Sequence, residues 1–358
     1  MAVDHMDGGL TDRLNRPLRD LRLSITDRCN LRCTYCMPEE SFVSNDAFLP
    51  KADLLTFDEM MRVVEAAATL GVEKLRVTGG EPLLRAGVES FIERVSNRSL
   101  GLDLALTTNG LLLARKARRL KAAGLHRVTV SLDALDAPTF ARMSGRSESP
   151  AEVLRGIDAA RAAGFAPPKI NTVVCRGVNE HAIVDIAQFF RHRGEVVRFI
   201  EYMDVGGPLG WRPNHVVPAA EILHVLHRQW PLSPVAPLYP GEVAKRYRYD
   251  DGGGEIGIIA SVTHAFCGDC QRLRMSADGT LYTCLFSRRG TPLRPILRAG
   301  EGVAARQLTD AIASVWSGRA DRYSELRNHL AEPSRHAARS GSWNGIVNDI
   351  VRMHRVGG

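Results

Sequence analysis

Aromatic residues are scarce, at 6% of the 358 residues, which is too few to interleave with basic side chains along a surface that tracks nucleic acid. Nor does any apolar run approach the roughly 18 residues of a membrane helix. The opening stretch, MAVDHMDGGLTDRLNRP, lacks an apolar core, so the sequence predicts no secretory signal. Residues 1–18 read as a loose polar arm and the chain as cytoplasmic. Low-complexity tracts and heptads are missing. Cysteine is sparse and odd in number, with seven residues, at 29, 33, 36, 175, 267, 270 and 284. An odd count without an export signal argues against a disulfide framework. Close spacing within two groups points instead to metal or redox chemistry.

What is present is ordinary globular composition, 44% hydrophobic and 24% charged, enough for one large domain plus a smaller one. The net charge of +7 is read either as a solvated basic surface or as a preference for an anionic partner, nucleic acid or a phosphorylated small molecule. Between residues 21 and 203 short β-branched strands alternate with helix-period segments. Strands are expected over 21–26, 74–78, 102–107, 127–132, 169–174 and 197–201, with helices between them, for example over 56–70 and 151–163. Such alternation means parallel pairing. Six units fit a partial (β/α) barrel better than a full one, and an open doubly wound sheet is the rival. After Met203 the alternation stops at a Gly/Pro-rich stretch over 206–210. A helix near 218–230 follows, then two hairpin-like pairs turning at 250–254 and at Asp278-Gly279. The divisions expected are an arm over 1–18, a barrel over 19–210 and a smaller region over 211–358.

Strand parity places charge. In Leu21-Arg22-Leu23 and Leu75-Arg76-Val77 the apolar residues alternate with cations, and Lys169-Ile170-Asn171 begins likewise. Helices should cover the apolar face, so Arg22, Arg76, Thr107 and Lys169 point inward. Inward cations cost several kcal/mol each when unpaired, which suggests a cavity for an anion. The plainer reading, that each snorkels to water, stays open.

Cys29, Cys33 and Cys36 follow the first strand as C-x3-C-x2-C, with Tyr35 before the last. Three thiolates on a tight loop can hold three irons of a [4Fe–4S] cube and leave the fourth open. A zinc site with a distant fourth ligand is the alternative. The spacing is similar to that of the radical S-adenosylmethionine (SAM) superfamily, in which the open iron chelates SAM. The second strand runs into Thr78-Gly79-Gly80-Glu81-Pro82, where glycine lets backbone approach a ligand. The third ends at Thr107-Thr108-Asn109, the fourth at Ser131-Leu132-Asp133, and the sixth runs into Tyr202-Met203. All lie at C-terminal strand ends, where barrel enzymes build active sites.

Cys267 and Cys270 are followed after thirteen residues by Cys284. A second cube and a Cys₃His zinc site through His264 both satisfy that spacing. Arg272 and Arg274 stand two apart on one strand face, with guanidinium planes suited to bidentate phosphate contacts. The stretch Cys270-Gln-Arg-Leu-Arg274 resembles the C-terminal motif of the GTP 3′,8-cyclase family, the molybdenum cofactor biosynthesis protein A family, and the resemblance runs from about residue 19 to the end.

That resemblance implies an α/β fold, a partial TIM-like (β/α)6 barrel of the radical SAM type, with a smaller C-terminal α+β region covering its open side. It implies two [4Fe–4S] clusters, on Cys29, Cys33 and Cys36 and on Cys267, Cys270 and Cys284. It implies SAM contacts from Tyr35, Gly80, Ser131 and Met203, and GTP contacts from Arg22, Arg76, Thr107, Lys169, Arg198, Arg272, Leu273 through its backbone, and Arg274. Arg22, Arg272 and Arg274 would serve catalysis. The terminal Gly357-Gly358 would enter the cavity. The partners implied are GTP as substrate, an electron donor, the next enzyme of the pterin pathway and, as an option, a second copy of the chain, with no nucleic acid and no membrane. Cys175 fits neither cluster and is read as a small buried residue. Two rivals stand: a radical SAM enzyme that modifies a peptide or RNA, which Arg272 and Arg274 disfavour, and a non-catalytic zinc or iron–sulfur protein.

Overall fold

The computed structural model describes residues 9–37, 48–205, 211–299, 304–326 and 353–356. Six strands and six helices form the barrel: β1 (Asp20–Ser24), α1 (Phe57–Thr69), β2 (Lys74–Thr78), α2 (Val88–Asn97), β3 (Asp103–Thr108), α3 (Leu113–Ala122), β4 (Arg127–Ser131), α4 (Ala137–Ser144), α5 (Pro150–Ala162), β5 (Lys169–Val174), α6 (Ala182–Phe190) and β6 (Val196–Glu201). The rest comprises α7 (Ala219–Gln229), β7 (Leu232–Val235), β8 (Lys245–Tyr249), β9 (Glu255–Ile259), β10 (Arg272–Met275), β11 (Thr280–Tyr282), β12 (Thr291–Pro292), α8 (Arg294–Leu297), α9 (Ala304–Ser317) and α10 (Met353–Val356).

Period-two patterning does what the sequence predicts. Leu273, Leu21, Leu75 and Leu104 lie side by side on successive strands, all buried against the helical layer. Met275, Leu23, Val77 and Leu106 form the next such row. Helix starts are equally legible. Thr56 accepts from the Glu59 backbone while Glu59 reaches back to the Thr56 amide, a capping box that opens α1.

The sheet is parallel from β1 to β6, in order, and does not close on itself. The anticipated hairpins form, β8 with β9 and β10 with β11. Their inner strands do something that turn signals do not show. β9 pairs parallel with β6, and β10 pairs parallel with β1, so the C-terminal region extends the sheet at both edges. Twelve strands form one sheet, and residues 260–271, between β9 and β10, cross from one edge of the barrel to the other. That crossing strap holds Cys267 and Cys270.

Three expectations need correction. The first strand ends at Ser24, and Thr26 and Asp27 are buried in the loop beyond it. Residues 9–18 are not loose, because Leu18, Arg16 and Asp12 are all buried. Polar sequence hid this, since Arg16 and Asp12 are partners inside the protein. Cys175 is only half-buried, in an isolated backbone bridge with Val216.

Candidate active site

The first cysteine loop is held by close backbone packing. A Cβ on Gly80 would lie 2.3 Å from the Arg28 carbonyl oxygen, and one on Gly145 would lie 2.2 Å from that of Arg32. Glycine at both positions lets two neighbouring segments press against the loop. The Gly80 amide donates to Thr26 O (2.8 Å), the Glu81 amide to Arg28 O (2.8 Å) and the Arg32 amide to Ser144 O (2.8 Å). Glu81 is fully buried and accepts from the Leu83 amide, Thr108 Oγ1 and the Asn109 amide at 2.9, 2.9 and 2.7 Å. Burial nonetheless pushes its carboxyl up to about 7. Tyr35 donates to Asp133 Oδ2 (2.8 Å), and burial raises Asp133 to about 6. Burial also raises Cys29 to about 11 and Cys33 well above its ordinary range, with Cys36 and Asp133 adding to the latter.

The second cysteine set is electrostatically different. Burial alone would push Cys270 up, but Arg272 and then Arg319 bring it down to about 6. Arg272 Nη2 lies 3.4 Å from Cys270 Sγ. Cys284, by contrast, is raised to about 11 by burial. His264 is exposed, with Nδ1 3.4 Å from Thr263 Oγ1. Among the described residues no three His, Cys, Asp or Glu side chains converge on one ion.

Between the two sets lies a cavity of about 1010 Å³, lined by all six of these cysteines. Parallel register puts Arg274, Arg22 and Arg76 side by side across β10, β1 and β2. Like charges in adjacent strand positions are destabilising unless an anion joins them. Burial, followed by Arg274 and Arg272, holds the Arg22 guanidinium well below its ordinary pKa; burial also lowers Arg76, and lowers Arg274 to about 10. Arg22 Nε and Arg76 Nε are buried with no hydrogen-bond partner among the described residues. Arg76 Nη1 donates to Thr107 Oγ1 (3.0 Å) and Thr129 Oγ1 (3.2 Å). The next row, Arg272, Asp20, Lys74 and Asp103, alternates in sign.

Tyr35, Gly80, Ser131, Met203, Arg22, Arg76, Thr107, Arg198, Arg272 and Arg274 all line this cavity. Two predicted residues do not. Leu273 turns its side chain to the helical layer, fully buried. Lys169 stands at the start of β5 outside the lining, where burial and the charges of Arg198 and Arg127 lower its amine to about 7. Gly357 and Gly358 lie outside the described residues. Lys74, Arg127 and Asn171 also line the cavity and were missed. Lys74 shares strand parity with Arg76, a signal that was available.

Residues 23–190 match the Radical SAM superfamily and residues 196–325 match Molybdenum Cofactor Synthesis C. The chain is 54% identical to the GTP 3′,8-cyclase of Acidothermus cellulolyticus, over 92% of this chain and 91% of that one. It is 50% identical to the one from Xanthomonas axonopodis pv. citri, over 90% and 95%. For Staphylococcus saprophyticus the identity is 44%, over 91% and 95%. The chain belongs to the GTP 3′,8-cyclase family. Membership favours the cyclase over the peptide- or RNA-modifying alternative and over a non-catalytic metal protein. The cofactors of the GTP 3′,8-cyclase family are SAM and two [4Fe–4S] clusters, and the two three-cysteine sets fit them. No helix among the described residues is long and apolar enough to cross a membrane.

Proposed function

We propose that this chain converts GTP to 3′,8-cyclo-7,8-dihydro-GTP, the first step of molybdenum cofactor biosynthesis, in the cavity between its two cysteine sets. One observation carries the assignment of roles: the row Arg274–Arg22–Arg76, contributed by the three adjacent strands β10, β1 and β2 and aimed into the space between the sets. GTP carries close to four negative charges at neutral pH, and three adjacent guanidiniums need such a partner.

Arg22, Arg76, Arg274 and Arg198 hold the triphosphate, with Thr107 orienting Arg76. Lys169 and Lys74 extend the cationic wall toward the rim. Arg272, hydrogen-bonded to the Cys270 sulfur, ties the phosphate wall to the second set. Cys29, Cys33 and Cys36 would hold one cluster, with Tyr35, Gly80, Ser131 and Met203 around SAM; Cys267, Cys270 and Cys284 would hold the other, at the guanine end. When bound, the first cluster and SAM supply a 5′-deoxyadenosyl radical. The protein's part is to fix ribose C3′ near that radical and to keep C8 of the base within bonding reach, since a misplacement of about 1 Å can cost roughly 10²-fold. An electron donor and the next enzyme of the pterin pathway are its further partners, and the setting is cytoplasmic.

The test is anaerobic incubation with GTP, SAM and a reductant, followed by chromatographic separation and mass analysis. A product isomeric with GTP, formed in step with 5′-deoxyadenosine, is expected. SAM cleavage that is indifferent to GTP would overturn the proposal.

A further inference from the structure

The segment over 9–18 lies outside every motif of the reaction, yet it reaches the second cysteine set. Arg16 is 2% exposed, Asp12 5% and Arg319 4%. Asp12 Oδ2 accepts from Arg16 Nε (2.6 Å) and from Arg319 Nη1 (3.3 Å). Asp12 Oδ1 takes the Leu14 and Arg16 amides, both at 2.9 Å. One carboxylate therefore joins two buried guanidiniums, and a second, that of Asp321, accepts from Arg319 Nε (3.3 Å).

Both guanidiniums also donate to the cysteine strap. Arg16 Nη1 donates to Cys267 O (2.7 Å), from 251 residues away along the chain. The same nitrogen also donates to Asp321 O (2.8 Å). Arg319 Nη1 donates to Cys270 O (2.6 Å). Arg16 Nη2 is buried with no hydrogen-bond partner among the described residues. Trp316 braces the pair from behind: its Nε1 donates to Arg16 O (3.1 Å) and its ring stacks under Arg319. A strap between strands on opposite edges cannot hold two cysteine carbonyls in place by sheet pairing alone, and these two arginines supply the missing donors.

We infer that Arg16 and Arg319, joined through Asp12, are positioning residues of the second cluster site: they fix the carbonyls of Cys267 and Cys270. The inference rests on the assignment of a cluster to Cys267, Cys270 and Cys284. Neither arginine is asked to touch the nucleotide. Groups in this supporting position are worth about 10–100-fold in metal affinity at comparable sites.

The experiment uses the full chain in two backgrounds. In one, Cys29, Cys33 and Cys36 are all alanine, leaving only the second site; in the other, Cys267, Cys270 and Cys284 are alanine. Each is reconstituted anaerobically, and iron release to ferrozine is timed with and without Arg16→Gln or Arg16→Lys. The second-site background should hold about four irons before any arginine is changed. There Arg16→Gln should speed release at least about tenfold and Arg16→Lys less, because an ammonium keeps charge but not the fork. In the first-site background release should be unchanged. Failure of the parent second-site background to hold iron would sink the cluster assignment and the inference with it. Iron held there but released at the parent's rate after Arg16→Gln would overturn the inference alone. Faster release in both backgrounds, or collapse of both, would assign Arg16 to general stability and overturn it too.

Discussion

The two cysteine sets differ in how the protein holds them. The first sits on a loop that neighbours approach with bare backbone, through Gly80 and Gly145, in surroundings where burial raises Cys29 to about 11 and Cys33 well above its ordinary range. Two members of the second, Cys267 and Cys270, sit on a strap held by arginine side chains from distant parts of the chain, and Arg272 and Arg319 bring Cys270 to about 6. One site is built by shape and backbone packing, the other by charge and side-chain contact. The contrast matches their proposed duties. A site that activates SAM needs its loop fixed tightly against the ends of the barrel strands. A site that holds a polyanionic substrate needs positive charge around it.

The largest expected separation comes from removing one ligand on each side. Cys29→Ala should abolish SAM cleavage altogether. Cys284→Ala should retain some reductive cleavage and make little or no cyclised product. Quantifying 5′-deoxyadenosine against product in both variants checks this, and tight coupling in Cys284→Ala would reduce the second site to a structural one.

Next in size is the phosphate wall. Arg274→Ala should leave iron content intact and lower turnover on the order of 10²–10³-fold, the usual cost of losing one preorganised cationic donor. Arg274→Lys should recover only part of it, because an ammonium lacks the fork. Equal turnover at low GTP would remove Arg274 from the site.

Glycine substitutions sharpen the contrast between backbone packing and side-chain clamping. Gly80→Ala should roughly halve the iron by loosening the first loop, since its Cβ would sit 2.3 Å from Arg28 O. Gly241→Ala should disturb the other side instead, because that Cβ would meet Asp269 O at 2.9 Å and the Gln271 side chain at 3.1 Å, beside the strap. Iron analysis on the two single-site backgrounds reads both outcomes. Identical losses from both sites in either variant would erase the distinction.

The smallest effect is a proton. Lys169 has its amine lowered to about 7, so the free site is charged below that pH and neutral above it. A bound triphosphate favours the charged form and raises that value. Binding above about pH 7 must therefore recruit a proton, and GTP affinity should weaken toward about tenfold per pH unit there, levelling off below. Lys169→Met should remove this slope. Equilibrium dialysis across that range measures it, and an unchanged slope in the variant would clear Lys169 of the role.

Much of this was legible in the sequence because it is local. Alternation in Leu21-Arg22-Leu23 and Lys74-Leu75-Arg76 specified both faces of the sheet, and the six strands followed. The three-cysteine spacings and the Arg272/Arg274 pair pointed to the cavity before any coordinates. Illegible features were long-range. Nothing local in Glu255–Ile259 or Arg272–Met275 says that each will pair in parallel with a barrel edge, because a turn signal names only the antiparallel neighbour. Asp12 and Arg16 look like surface residues until Arg319 arrives from the far end of the chain. Lys169 has the right parity but falls at a strand end, where parity does not decide whether a long side chain enters the cavity or lies along its rim.

The pairing of β1 with β10 sets an order of events during synthesis. β1 leaves the ribosome early and has β2 on one side within about fifty residues, at 74–78, but its other edge gains a partner only when residues 272–275 appear. At 5–20 residues per second that edge stays open for on the order of ten to fifty seconds, with unpaired amides that could recruit another nascent chain. Asp20 and Arg22 lie on that edge, pointing inward. Charged inward residues are one of the means by which proteins keep open edges from pairing wrongly. The arginine proposed to meet a phosphate in the finished enzyme thus guards the strand while the chain is still being made.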